Sequence, residues 1–131
     1  MIVLDASAVV ELVLNTDAGR RVAKQVASPE ISLHAPHLLD VEVTQALRRY
    51  VHRGVLLSRQ AEQALVHLSQ LDIERYGHTD LLRRAWALRN NLTASDAVYI
   101  VLAEILEAPL LTGDAKLASA TGHQARILLL D

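Results

Sequence analysis

The sequence predicts an α/β fold, a three-layer α/β/α sandwich in which helices cover both faces of a short, mostly parallel central sheet. Short runs at 2–4, 110–111 and 127–130 are apolar at every position. They lack the in–out alternation of a half-exposed sheet and read as strands buried on both faces. Between them lie longer segments with apolar residues three and four apart, the spacing of amphipathic helices. The three prolines (Pro29, Pro36, Pro109) and the five glycines fall at element boundaries or turns.

The first strand, 2–4, hands over to a helix through 6–14. A second helix is predicted over 17–27, with Val22, Ala23 and Val26 inward, and a second strand at 31–33. The long helix over 37–53 carries an inner stripe of Leu39, Val43, Leu47, Tyr50 and Val51, and Gly54 stops it. Ser58 reads as the cap of a helix bearing Ala61, Ala64, Leu65 and Leu68, followed by a short strand at 71–73. Thr79 reads as the cap of a helix with Leu82, Ala85, Trp86 and Arg89. Thr93-Ala94-Ser95-Asp96 fits a capping box ahead of Ala97, Val98, Val101, Leu102 and Ile105. A strand at 110–111, a short helix at 115–120 and a strand at 127–130 complete the pattern. With no linker, repeat or low-complexity tract, one domain is expected over 1–131.

Composition excludes several classes. Apolar residues make up 51% of the 131 and charged residues 21%, as in ordered globular proteins. A formal net charge of −2 creates no overall field toward nucleic acid or membrane, although local patches remain open. The absence of cysteine removes disulfides, thiolate chemistry and thiolate zinc sites, and suits a reducing cytoplasm, the expected location. The N-terminus carries Asp5 and Glu11 where a targeting signal would place a basic stretch. The most apolar region, 97–111, is broken by Glu104, Glu107 and Pro109, so no membrane association is expected.

Four acids carry the chemistry: Asp5, Glu42, Asp96 and Asp114. Each lies where a strand-like or loop segment hands over to a helix. In a parallel sheet every such handover falls on the edge beyond the carboxyl ends of the strands. Taken singly, Asp5, Asp96 and Asp114 each fit an N-cap or first-turn role, accepting backbone N–H bonds. Glu42 does not. It lies between Leu38 and Ala46 on the apolar arc of its helix, where an unpaired acid is costly to desolvate. Asp40 projects roughly 200° away and is expected to face solvent. Carboxylates gathered on one rim cannot all stay ionised without a cation among them. Hard oxygen donors, with no Cys and no clustered His, select Mg²⁺ or Mn²⁺ over zinc. One ion or two is left open.

Ser7 and Thr112 stand two residues from Asp5 and Asp114 and could orient a carboxylate or a water. Both equally fit turn or cap roles, and for Ser7 that local role is preferred. The six histidines (His34, His37, His52, His67, His78, His123) show no ligand spacing and are expected at the surface or its boundary. Neither a Walker loop nor a dinucleotide fingerprint is present.

Several stretches together resemble PIN-domain ribonucleases, and within them the VapC-type toxins of prokaryotic toxin–antitoxin pairs. They are Ile2-Val3-Leu4-Asp5-Ala6-Ser7-Ala8, then Leu39-Asp40-Val41-Glu42-Val43 with Ala46-Leu47-Arg48-Arg49. Leu92-Thr93-Ala94-Ser95-Asp96-Ala97 and Ala108-Pro109-Leu110-Leu111-Thr112-Gly113-Asp114 follow. No single stretch is specific; the ordered set is. The resemblance implies a magnesium-dependent endoribonuclease, the toxin of a VapBC-like pair. Asp5 and Asp96 would be the principal metal ligands, with Glu42 and Asp114 completing the cluster and positioning the attacking water. It also implies a homodimer and a small antitoxin partner. Ala115, Lys116 and Leu117 follow Asp114, so the further acid that some relatives carry has no counterpart here. Arg48, Arg49, Arg53 and Lys116 are candidate RNA contacts, weighed against ordinary solvated helix faces. Aromatics form only 3% of the chain, which disfavours a base-stacking platform. The competing readings are another metal-dependent phosphoryl hydrolase, acting on DNA or a small ester, and a non-catalytic module that binds RNA or protein.

Overall fold

The computed structural model describes residues 1–130. Five strands, β1 (Ile2–Leu4), β2 (Leu33–Pro36), β3 (Ile73–Tyr76), β4 (Leu110–Thr112) and β5 (Ile127–Leu129), form one sheet in the order β3-β2-β1-β4-β5. All four pairings are parallel. Helices α1 (Ala6–Val13), α2 (Asp17–Gln25), α3 (Leu38–His52) and α4 (Ser58–Gln70) connect the first three strands. After β3 come a 3₁₀ turn (Thr79–Leu81), α5 (Leu82–Ala87) and α6 (Ala94–Leu106), then α7 (Ala115–Ser119) between β4 and β5.

Chain order runs outward from β1 to β2 and β3 on one side, then returns to place β4 on the other. The reversal between β1 and β4 opens a crevice beyond their carboxyl ends, the place where open α/β sheets take ligands. β1 and β4 are buried throughout, and α6 crosses the core with seven consecutive buried residues, Ala97 to Ala103. α1 and α2 meet closely because position 19 is glycine. A Cβ there would stand 1.9 Å from the Glu11 carbonyl oxygen.

Element types match the sequence reading, whereas several boundaries move for identifiable reasons. The second strand lies at Leu33–Pro36, because its register against β1 pairs Ile2 with Leu33 and Val3 with His34. Ile31 is instead tied into a turn, its N–H bonded to Ser28 O at 3.0 Å. The third strand lies at Ile73–Tyr76, since Leu71 is spent closing α4. As an edge strand, β3 tolerates Glu74 and Arg75. α2 ends at Gln25, and Ala23 is exposed. Ser58 does not cap α4; Gln60 does, its side chain accepting the Leu57 N–H at 2.8 Å. Thr79 makes no side-chain cap, because a 3₁₀ turn precedes α5 there. At α6 the Thr93 hydroxyl accepts the Asp96 N–H at 3.2 Å, one half of the expected box.

His34 departs from the expected surface position. It is 3% exposed, with Nδ1 on the Tyr76 hydroxyl and Nε2 on Ser32 Oγ, both at 2.7 Å. A neutral imidazole with both nitrogens partnered can be buried in an inner strand. Burial lowers its pKa against the opposing pull of Glu74. Among the described residues no helix is long and apolar enough to cross a membrane.

Candidate active site

Asp5 follows β1 directly and is 6% exposed. Its Oδ1 accepts the Ala8 N–H at 3.1 Å, capping α1, and the Ser7 hydroxyl at 2.6 Å. Its Oδ2 accepts the Thr112 hydroxyl at 2.5 Å. Both hydroxyls also accept backbone N–H bonds from the loop after β4. Gly113 N–H donates to Ser7 Oγ at 2.8 Å, and Asp114 N–H donates to Thr112 Oγ1 at 3.0 Å. Ser7 is therefore more than a local turn residue: with Thr112 it ties the loops after β1 and β4 into one unit around Asp5. The capping roles hold as well, since Asp114 caps α7 through the Lys116 N–H at 2.8 Å.

Asp96 enters from the first turn of α6 and Glu42 from the second turn of α3. Glu42 does not turn to bulk water. The Tyr99 hydroxyl donates to its Oε1 at 2.6 Å, and Tyr99 itself is 2% exposed. Tyr99 escaped the sequence reading. Its signal was its spacing, three residues after Asp96 and so on the same helical face. Asp40 was expected to face solvent; its side chain is 39% exposed, and it also accepts a bidentate fork from Arg75 of β3, at 2.7 and 2.8 Å. The helical turn does carry it away from Glu42, but an edge-strand cation waits there.

All four acids line one cleft of about 490 Å³ between α1 and α3, with Ser7 and Tyr99. Farther along α3 its wall includes Gln45, Arg49 and Tyr50. Of the four basic candidates only Arg49 lines this cleft; Arg48, Arg53 and Lys116 are exposed outside it.

The electrostatics are those of like charges held together. Burial lifts the Asp5 carboxyl above the usual range against bonds from Ser7, Thr112 and Ala8, and the Asp96 charge pushes the same way. Burial raises Glu42 against the Tyr99 bond, with Asp96 and Asp5 adding to the rise. Asp96 is raised by burial and by Asp114, and lowered by Thr93. The Tyr99 hydroxyl is pushed far above its ordinary pKa by burial and by Glu42, so it stays protonated and donates. Each of three acids thus feels the charge of another, the condition that a cation would relieve.

The donor set is all hard oxygen, which suits a hydrated divalent ion. Among the described residues no three His, Cys, Asp or Glu close into a cage around an ion. An open cleft of carboxylates fits ions that keep several waters and share their coordination with phosphate oxygens.

A family profile described as the PIN domain matches residues 2–122. Ribonuclease VapC12 of Mycobacterium tuberculosis is 41% identical over 130 residues, covering 99% of both chains. Ribonuclease VapC1 of the same organism is 43% identical over 129 residues, covering 98% of this chain and 96% of its own. Among solved structures, PAE2754 from Pyrobaculum aerophilum superposes with a TM-score of 0.70 at 26% identity, covering 96% of this chain and 81% of that one. M. tuberculosis VapC20, a toxin named for cleaving the Sarcin-Ricin loop, superposes with a TM-score of 0.66. At 17% identity over 95% of this chain and 100% of its own, VapC20 speaks for the fold.

Proposed function

The chain belongs to the PIN-domain family, among its VapC ribonucleases, and from that premise we propose that the cleft between α1 and α3 hydrolyses RNA phosphodiester bonds. The observation that carries the reading is the meeting of Asp5, Glu42, Asp96 and Asp114, from four separate segments, in one cleft at the reversal of the sheet. A parallel sheet brings helix caps to one edge, but capping does not account for Glu42, which enters the same cleft from the second turn of α3.

The family is divalent-metal dependent, and for this chain the hard oxygen set favours Mg²⁺, with Mn²⁺ as a substitute. Asp5 and Asp96 would hold the ion, with Glu42 and Asp114 completing the set. When bound, such an ion lowers the pKa of a water and offsets charge building on the phosphoryl oxygen. The chain's own residues do the rest. Ser7 and Thr112 fix both Asp5 oxygens, so the first ligand needs no rearrangement. Asp114, tied to Thr112 through its backbone, faces the cleft beside Asp96 and orients the attacking water. Hydrolysis is direct, with no covalent enzyme intermediate. Arg49, on the α3 wall, would hold a phosphate flanking the cleaved bond. Arg48, Arg53 and Lys116 would extend that contact at the rim, on RNA recognised by backbone and shape.

As a VapC-type toxin the chain acts against RNA in the cytoplasm, is held in check by a small cognate antitoxin, and works as a homodimer. Expression in cells with mapping of new RNA 5′ ends, parent against Asp96→Asn, tests the activity directly. New ends appear with the parent and vanish with the variant, which also fails to cleave purified RNA. Parent-like ends from Asp96→Asn, or turnover of small phosphate esters but not RNA, would overturn the proposal.

A further inference from the structure

We infer that Tyr99 is the positioning residue for Glu42, holding that carboxylate in place for the cation through the hydrogen bond from its buried hydroxyl. The inference rests on the functional reading above and assigns a task to a side chain outside the acidic set. Three of the four acids are anchored locally. Asp5 accepts the Ala8 N–H, Asp114 accepts the Lys116 N–H, and Asp96 sits on the turn that Thr93 caps. Glu42 has no such anchor. It projects from the second turn of α3, carries one more rotatable bond than an aspartate, and bears the repulsion of Asp5 and Asp96. Among the described residues its one hydrogen bond is the 2.6 Å contact from Tyr99.

Tyr99 is built to supply that contact. Its ring is locked in the core beside the other buried residues of α6, while its hydroxyl reaches the cleft. A phenylalanine would fill the same volume, so packing does not account for the oxygen; a buried hydroxyl requires a partner, and here it is the acid. Asp96 and Tyr99 stand three residues apart on α6, so one helical face presents a ligand directly and steadies another across the cleft. Binding Glu42 at Oε1 leaves Oε2 for the cation. Second-layer donors of this kind typically change metal affinity or activity by about 10- to 100-fold when removed.

The test compares the parent with Tyr99→Phe, Glu42→Gln and the double variant. Mn²⁺ binding is read by the loss of the free-ion electron paramagnetic resonance signal on purified protein without RNA, alongside RNA cleavage kinetics and metal-free melting. The expected result is that Tyr99→Phe weakens Mn²⁺ binding by about tenfold or more and lowers kcat with KM for RNA unchanged. Its metal-free melting temperature stays within about 4 °C of the parent. In the Glu42→Gln background the same substitution changes Mn²⁺ affinity less than about twofold, because the partner is already gone. Parent-like Mn²⁺ affinity in Tyr99→Phe overturns the inference, as does an equal loss in both backgrounds. Failure of Tyr99→Phe to fold does so too, since it would make the hydroxyl a structural requirement. If Glu42→Gln itself binds Mn²⁺ and cleaves RNA like the parent, the functional reading falls instead.

Discussion

At the scale of single residues, the four acids divide into those the fold leans on and those it merely tolerates. Asp5 caps α1 and receives the Ser7 and Thr112 hydroxyls, so its oxygens are structural partners as well as candidate ligands. Asp5→Ala should cost about 2 kcal/mol, from a lost cap and two stranded hydroxyls. Asp96 and Glu42 carry less of the fold, and their raised pKa values, like that of Asp5, mean that the metal-free fold disfavours their charged forms. A carboxyl that binds its proton more tightly folded than unfolded stabilises the fold as pH falls. The metal-free parent therefore loses stability as pH rises from about 4 through these raised values. Asp96→Asn removes part of that slope. At pH 8 without metal it should be as stable as the parent or up to about 1 kcal/mol more stable, with the difference fading near pH 4. Thermal melting of both variants across that range measures this, and a marked destabilisation of Asp96→Asn at pH 8 would return Asp96 to a plain capping role.

At the scale of elements, the connection between strand and helix was legible wherever one short segment decided it. β1, α3, α6 and β4 could be found from apolar runs and periodicity, and with them the sites of all four acids. What could not be read depended on pairing across the sheet. The register of β2 is set by β1, and β3 carries Glu74 and Arg75, which a buried-strand pattern rejects but an edge strand accepts. The partners of Asp5 were visible as types but not as contacts, because Thr112 lies 107 residues away in sequence. The same limit hid the Asp40–Arg75 fork, in which an edge strand holds the first turn of α3, the helix that delivers Glu42 two residues later. Arg75→Met keeps the aliphatic stem and removes the fork. It should lower stability by about 0.5–1 kcal/mol and reduce cleavage severalfold, far less than Asp96→Asn. Loss of activity as complete as that of Asp96→Asn would move Arg75 from holding a helix to acting in the cleft.

For the molecule as a whole, the consequence is a fold that carries its own repulsion at the sheet's switch point and should gain stability if a cation occupies it. A ligand that binds the folded chain alone stabilises it by RT ln(1 + [L]/Kd), about 2.7 kcal/mol at a hundredfold excess over Kd. For a chain of this size that is a rise in melting temperature of roughly 5–15 °C. Protons compete for the same carboxylates, and three of the four acids hold them more tightly than free side chains do. The stabilisation by Mg²⁺ or Mn²⁺ should therefore be full at pH 8 and, as pH falls, begin to decline at higher pH than it would with ordinary carboxylates. Calcium, which prefers more ligands at longer distance, should stabilise without supporting cleavage. Glu42→Gln should flatten the metal response at every pH while leaving the metal-free fold as stable as the parent near pH 4 and as stable or slightly more so at pH 8. Because the measurement needs no RNA, it separates the ability to gather a cation from the ability to cut. A melting temperature indifferent to Mg²⁺ and Mn²⁺ at pH 8 would mean that the acids repel one another without a cation to join them, and the hydrolytic reading would lose its footing.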